Sequence, residues 1–310
     1  MTQLTTRTGA PVASFSFGTM QFGGKADNAA SAQMFDACRA AGITHFDTAW
    51  VYTEGRSESI LADLIAGAQD DLYVATKVGY TGGAGRANML AQFDESRMRL
   101  KMDTVDLLYL HRFDPETDLR ETIDAFATLK AQGAIRHVGL SNFAAWQVMK
   151  AQAIAAEFDI RIDVIQPMYS LVKRQAEVEL LPMCADQGIA ACTYSPLGGG
   201  LLTGKYVSGS DGRLAEDERY AARYADPAMK QAASWLAALA AERGAHPATL
   251  AAAWVAAHDH RPQPILSARS AAQLGPSLAA IDFEMSPDLY AEISALMPAP
   301  PPATDRLEEA

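Results

Sequence analysis

Short runs of apolar, β-branched and aromatic residues alternate along this chain with longer stretches of helical period. Runs at 15–18, 43–47, 72–77, 105–110, 135–140, 164–167, 189–194 and 264–267 read as buried strands, nearly unbroken in apolar character and too short for helices. Between them lie helices with legible ends, such as 119–132 closed by Gly133 and 176–187 closed by Gly188, where glycine accepts the left-handed conformation that ends a helix. A strand feeding a helix feeding a strand demands parallel pairing with right-handed crossovers. Eight such units close into an α/β fold of (β/α)8 TIM-barrel type, a single domain over residues 1–310. An open doubly wound sheet is the competing arrangement. Its glycine fingerprint after the first strand, G-x-G-x-x-G, is not supplied by Phe17-Gly18-Thr19-Met20-Gln21-Phe22-Gly23.

Two segments break the rhythm. Residues 207–226 are polar and rich in Gly, Asp and Arg, the profile of a long functional loop, and the tail from about 298 is Pro-rich and acidic and reads as loose.

Composition narrows the function. With 310 residues, 49% of them apolar, the chain can bury a large core. A net charge of −11 with no Lys/Arg block argues against a nucleic-acid binder, so any anionic ligand must be caught locally. Cys38, Cys184 and Cys192 are scattered through apolar stretches without metal or disulfide spacing, and residues 1–10 lack the apolar centre of a signal peptide. A reduced, cytoplasmic protein without membrane spans is the expectation. A homo-oligomer is left open.

The chemistry-bearing residues fall at strand ends. Asp47, Lys77 and His111 each end a different apolar run, and Tyr52 follows Asp47 by one short loop. In a (β/α)8 barrel those ends line the mouth, so residues far apart in sequence meet there. Tyrosine is a weak acid at neutral pH, and a neighbouring cation eases its ionisation. Lys77 would supply that cation, Asp47 would hold it, and His111 would hydrogen-bond a substrate carbonyl oxygen. Singly, each residue has an ordinary structural role; together they suggest carbonyl reduction. His45 reads as packed structure and His258 and His260 as surface, so no metal site is expected. The run Gly199-Gly200-Leu201-Leu202-Thr203-Gly204-Lys205-Tyr206 fits G-x-x-x-x-G-K, but Tyr206 stands where a P-loop needs a Ser or Thr hydroxyl. A nucleoside triphosphatase is rejected, while a glycine turn with a lysine still suits a pyrophosphate.

Phe17-Gly18-Thr19-Met20, Asp47 through Tyr52, Lys77, Leu110-His111, Gly139-Leu140-Ser141-Asn142-Phe143 and the Gln273 segment, in that order, resemble the aldo-keto reductases. Tyr52-Thr53-Glu54-Gly55-Arg56-Ser57-Glu58, Ser141 to Trp146 and Gly198 to Tyr206 look most like the aflatoxin-aldehyde reductase branch; potassium-channel β subunits share parts of the pattern. The resemblance implies reduction of small carbonyl compounds by NADPH, with Tyr52 as general acid and Lys77, Asp47 and His111 around it. It implies that Ser141, Asn142 and Gln166 hold the nicotinamide carboxamide and that Tyr194 stacks on the ring. Ser195, Pro196, Leu197, Gly198, Gly200 and Lys205 would line the pyrophosphate passage, with Arg213 covering it. Arg269, Gln273 and Ser277 would take the adenosine end, the Arg269 fork suiting a 2′-phosphate. Tyr220 and Arg223 match a substrate-contact segment, in which Arg223 either pairs with a substrate carboxylate or is solvated. Met20 and Trp50 are either walls of the mouth or core. A cofactor-binding regulatory protein of the channel-β type and an NAD-linked alcohol dehydrogenase are the alternatives.

Overall fold

The computed structural model describes residues 3–206 and 212–304, together with 306 and 308. Eight strands pair in sequence order into a closed, all-parallel barrel: β1 Ser16–Gly18, β2 His45–Asp47, β3 Tyr73–Val78, β4 Val105–Leu110, β5 Ile135–Ser141, β6 Val164–Gln166, β7 Ala190–Tyr194 and β8 Gln263–Leu266. Each corresponds to a run read from the sequence, with ends moved by two residues or fewer. β3 and β4 are buried along their whole length, because helices cover one face and the barrel interior the other; that is why the runs are continuous rather than alternating.

Side chains of a strand alternate between the two faces. Tyr73, Ala75, Leu107, Tyr109, Val164, Cys192 and Ile265 fill the barrel, whereas Phe46, Val74, Leu108, Val138 and Ile165 pack outward beneath the helices. Leu4, on a hairpin closed by the Thr5–Pro11 bridge, joins the inner cluster, and Arg136 ties that hairpin to the barrel through the carbonyl of Thr5 and the buried Asp106. The same period of two carries the chemistry. Counting on from the inward residues Tyr73 and Ala75 puts Lys77 inside; counting from Leu107 and Tyr109 puts His111 inside, and the register pairs Asp47 with Ala75 and Lys77 with Tyr109.

The helix Leu119–Ala131 is capped by Asp118, whose carboxylate accepts from Arg120 N at 3.0 Å, and Gly133 follows with φ +69° as expected. The helix expected over 176–187 is instead a 3₁₀ turn, Gln175–Glu177, and a separate helix, Leu180–Gln187. Pro182 explains the break: deep in one long helix it would clash with the preceding turn, but it sits without cost in the first turn of a helix begun at Leu180. Where described, the segment expected as a loop over 207–226 carries two short helices, Arg213–Glu216 and Glu218–Arg223, the second capped by Asp217; residues 207–211 lie outside the described residues, as do 305, 307, 309 and 310 of the tail. Among the described residues no helix is long and apolar enough to cross a membrane, and the three cysteines are free and buried.

Candidate active site

Six consecutive strands, β2 to β7, deliver Asp47, Lys77, His111, Ser141, Gln166 and Tyr194 to one end of the barrel. The Lys77 ammonium donates to Asp47 Oδ1 and, at 2.7 Å, to the Thr48 carbonyl; the side chains of Lys77 and Asp47 are 0% and 4% exposed. Gln166 Nε2 donates to the other oxygen, Asp47 Oδ2, at 2.9 Å. Each oxygen of this carboxylate thus accepts a hydrogen bond from a side chain, which helps make a buried ion pair tolerable.

Tyr52 lies in the 3₁₀ turn Tyr52–Gly55, half-buried, with Lys77 Nζ 5.0 Å from its ring centre. The His111 ring meets it edge-on at 5.8 Å. Beyond Tyr52 the chain is strained: Thr53, Glu54 and Gly55 adopt φ of +48°, +60° and +85° in succession. For the two non-glycine residues this costs on the order of 1–2 kcal/mol each. Thr53 Oγ1 offsets part of it by donating to the Phe22 carbonyl at 2.8 Å and accepting from Ser57 N at 3.0 Å.

The electrostatics of Tyr52 set burial against the effect of Lys77. Burial raises the Tyr52 pKa, Lys77 lowers it and Asp47 raises it again, and the net direction is upward. Lys77 thus limits the rise rather than making Tyr52 an unusually strong acid, because the carboxylate that fixes the lysine also screens it. For Lys77, burial favours the neutral amine, but Asp47 and Tyr52 outweigh it and its pKa is raised. His111 is pushed down to about 3 by burial, Lys77 and Arg112, so the ring is neutral. Its Nδ1 is buried and has no partner among the described residues. An unpaired lone pair is less costly to bury than an unpaired N–H, which assigns the single proton to Nε2.

Asn142, held at φ +57°, donates from Nδ2 to the His111 carbonyl at 3.0 Å and to Ser141 Oγ at 3.1 Å, and its Oδ1 accepts from the Tyr194 hydroxyl at 2.6 Å. Ser141 Oγ in turn donates to the Gln166 carbonyl at 3.1 Å. The side-chain donors of Asn142, Ser141 and Tyr194 are thereby engaged, and one of the two on Gln166 is given to Asp47. What remains is acceptor capacity on Asn142 Oδ1, Gln166 Oε1 and Ser141 Oγ, which suits a ligand amide N–H₂.

Past β7, Ser195 has φ +60°, followed by Pro196 and Leu197 and then the turn Gly198–Thr203, in which Gly198, Gly199 and Gly200 all have positive φ. Gly199 is needed for space as well: a Cβ there would lie 2.8 Å from the Tyr220 ring and 2.9 Å from Tyr224. The Lys205 ammonium packs near Gly200 and 4.8 Å over the Tyr206 ring. Arg213 begins the helix Arg213–Glu216, but its side chain lies outside the described residues. Arg269 meets a carboxylate: Glu216 accepts from Nη1 at 3.2 Å and from Nη2 at 2.9 Å, and Lys25 approaches Glu216 at 3.4 Å. The fork assigned to a 2′-phosphate is already engaged. Gln273 Oε1 accepts from Arg269 N at 2.8 Å, and Ser277 is buried in the helix Ala271–Leu278.

The Arg223 guanidinium lies 5.1 Å over the Tyr220 ring, and its charge acts to lower the pKa of Tyr194, which burial nonetheless pushes up to about 12; the helix Glu218–Arg223 thus lies on the same side as Tyr194. Met20 is half-buried beside β1, and Trp50 is half-buried with its indole donating to Glu95 at 2.8 Å. Two residues escaped the sequence reading. Tyr80 packs 4.9 Å from His111, and Arg112 lies 4.8 Å over Tyr80. Both follow a strand-end residue already singled out, so asking what comes next at each strand end would have found them.

A closed parallel barrel with a buried lysine–carboxylate pair, a tyrosine and a neutral histidine at one end defines a (β/α)8 protein equipped for acid–base chemistry. The sequence profile of the Aldo/keto reductase family matches residues 14–298, and the chain belongs to that family. It is 31% identical to a probable voltage-gated potassium channel subunit beta of Oryza sativa subsp. japonica over 96% of this chain and 97% of that protein. It is likewise 31% identical to an uncharacterized oxidoreductase of Bacillus subtilis over 95% of each. Aflatoxin B1 aldehyde reductase member 2 of Rattus norvegicus is 37% identical over 64% of this chain and 56% of its own length.

Proposed function

We propose that this single domain is a cytoplasmic NADPH-dependent reductase that turns aldehydes, less readily ketones, into alcohols. The observation carrying this reading is the Tyr52 ring held between the Lys77 ammonium, 5.0 Å away, and the neutral His111 ring, 5.8 Å away. Bound NADPH would supply the hydride. The acceptors of Ser141, Asn142 and Gln166 would hold its carboxamide, and the Tyr194 ring, tethered through its hydroxyl to Asn142, would lie against the nicotinamide. The turn Gly198–Thr203 with Lys205 would receive the pyrophosphate under Arg213, and Arg269, Gln273 and Ser277 the adenosine end.

The protein's own groups handle the proton. Tyr52, with its raised pKa, carries its proton throughout the neutral range. An alkoxide forming at the substrate carbonyl is a far stronger base than a phenolate, so transfer from Tyr52 remains downhill. Lys77 then stabilises the phenolate left behind, and Asp47 keeps Lys77 in place. His111 donates from Nε2 to the carbonyl oxygen as negative charge develops there. Met20, Trp50, Tyr220 and Arg223 are the proposed substrate residues. Arg223 favours short aldehydes bearing a carboxylate, and the aromatic side chains favour aromatic ones.

Tyr52→Phe removes the proton and little else. Aldehyde-dependent NADPH oxidation should fall by about 10²–10⁴-fold while dinucleotide binding persists. Full turnover in that variant would overturn the proposal. A second reading, a redox-sensing regulatory protein with slight turnover, is favoured by the near full-length match to channel β subunits. Steady-state turnover of an aromatic aldehyde supports the reductase; a single oxidation of bound NADPH that then stalls supports the sensor.

A further inference from the structure

The turn bearing Tyr52 is gripped from outside the barrel. Arg99 lies near the end of the outer helix Arg86–Leu100, and its guanidinium donates to the Trp50 carbonyl at 3.2 Å, to Glu58 Oε2 at 3.3 Å and to Glu95 Oε2 at 3.0 Å. It also lies against Gly55, where φ is +85° and a Cβ would come within 2.5 Å of Cζ, so a side chain there would be strained and would push the guanidinium aside. One planar group therefore holds the chain two residues before Tyr52 and three residues after it. Glu58 is fully buried, and its other oxygen accepts from Thr76 Oγ1 at 2.6 Å. Thr76 immediately precedes Lys77 on β3. The path Trp50–Arg99–Glu58–Thr76 thus links the tyrosine's turn to the lysine's strand.

We infer that Arg99 is a positioning residue for proton transfer, setting the separation of Tyr52 and Lys77 from the far side of the barrel wall. This rests on the reading of Tyr52 as proton donor. The left-handed run Thr53-Glu54-Gly55 is a costly conformation that Thr53 Oγ1 supports in part, and Arg99 adds contacts to Trp50 before it and to Gly55 at its end. A lysine in its place keeps the charge but lacks the fork that reaches Trp50, Glu58 and Glu95 together.

The test uses the full chain with NADPH and benzaldehyde, comparing Arg99→Ala and Arg99→Lys with Arg120→Ala, a control that removes an outer-helix ion pair to Glu157. Expected for Arg99→Ala is a kcat about 10- to 100-fold lower, with NADPH affinity unchanged and the circular dichroism spectrum retained. Millimolar methylguanidine should restore part of that rate and leave Arg120→Ala unaffected. Arg99→Lys should remain well below wild type. Wild-type kcat in Arg99→Ala, or a loss that follows NADPH affinity and shows no guanidinium rescue, overturns the inference. If Arg99→Ala does not fold, Arg99→Lys decides: wild-type kcat there overturns it, and a low kcat with intact NADPH binding supports it. A Tyr52→Phe variant assayed alongside separates the two ideas. If it is active, the proton-donor reading has failed; if it is inactive while Arg99→Ala is fully active, only the positioning role has failed.

Discussion

Glu216 holds Arg269 by both terminal nitrogens, and in doing so joins the helix after β7 to the loop after β8. The Lys25 ammonium adds a third point from the β1 side. These groups face solvent, and exposed ion pairs are weak, so the tie is of a strength that opens and closes readily. Glu216→Gln should raise the rate of NADPH release by about threefold, read by stopped-flow fluorescence of the bound dinucleotide. An unchanged release rate would mean that the segment is held by other contacts.

Lys77→Met should harm more than catalysis. It leaves the Asp47 carboxylate buried with Gln166 as its remaining side-chain donor, and breaking a buried pair from one side costs about 3–5 kcal/mol. Denaturant unfolding should report that loss. The double variant Lys77→Met, Asp47→Leu should recover much of the stability and none of the activity.

The pH response follows from two shifted groups. With His111 pushed down to about 3 and Tyr52 pushed up, neither titrates between pH 5 and 9, and kcat for reduction should be flat over that interval. For stability, the unfolded chain takes up a proton on this histidine near pH 6.5 whereas the folded one resists until about 3. Below 6.5 the unfolded state binds more protons, so stability falls as pH falls through that window. Urea unfolding from pH 7 to 4 should show His111→Gln losing less stability than wild type.

Gly139 lies opposite Tyr109 in the register of β4 and β5, and a Cβ there would lie 2.3 Å from the Tyr109 ring. Tyr109 has no room to retreat, being fully buried with Lys77 Nζ 5.8 Å from its ring centre. Gly139→Ala should cost about 1–3 kcal/mol in thermal or denaturant unfolding and also lower kcat, since the displaced ring moves toward Lys77.

Much of this was legible in the sequence because a parallel strand buried on both faces writes itself as a continuous apolar run. Asp47, Lys77 and His111 stood out as polar residues at the ends of such runs. What was not legible depended on partners far away in sequence. Nothing local to Arg269 signals that Glu216 will take its fork, and the net effect of Lys77 on Tyr52 depends on how deeply both are buried. Arg99 and Glu58 read as ordinary polar positions on helices, since their connection to Tyr52 exists only once two helices and a strand have packed. The segment 207–226 misled by composition, its helix Glu218–Arg223 being started by the Asp217 cap rather than marked by apolar period.

The site takes one residue from each of six successive strands, from Asp47 on β2 to Tyr194 on β7. No fragment lacking any of these six strands contains it, and no sheet still missing one of them can assemble it. During refolding the return of enzymatic turnover would be a clock for the joining of the last of these strands, silent through every earlier gain of helix and strand.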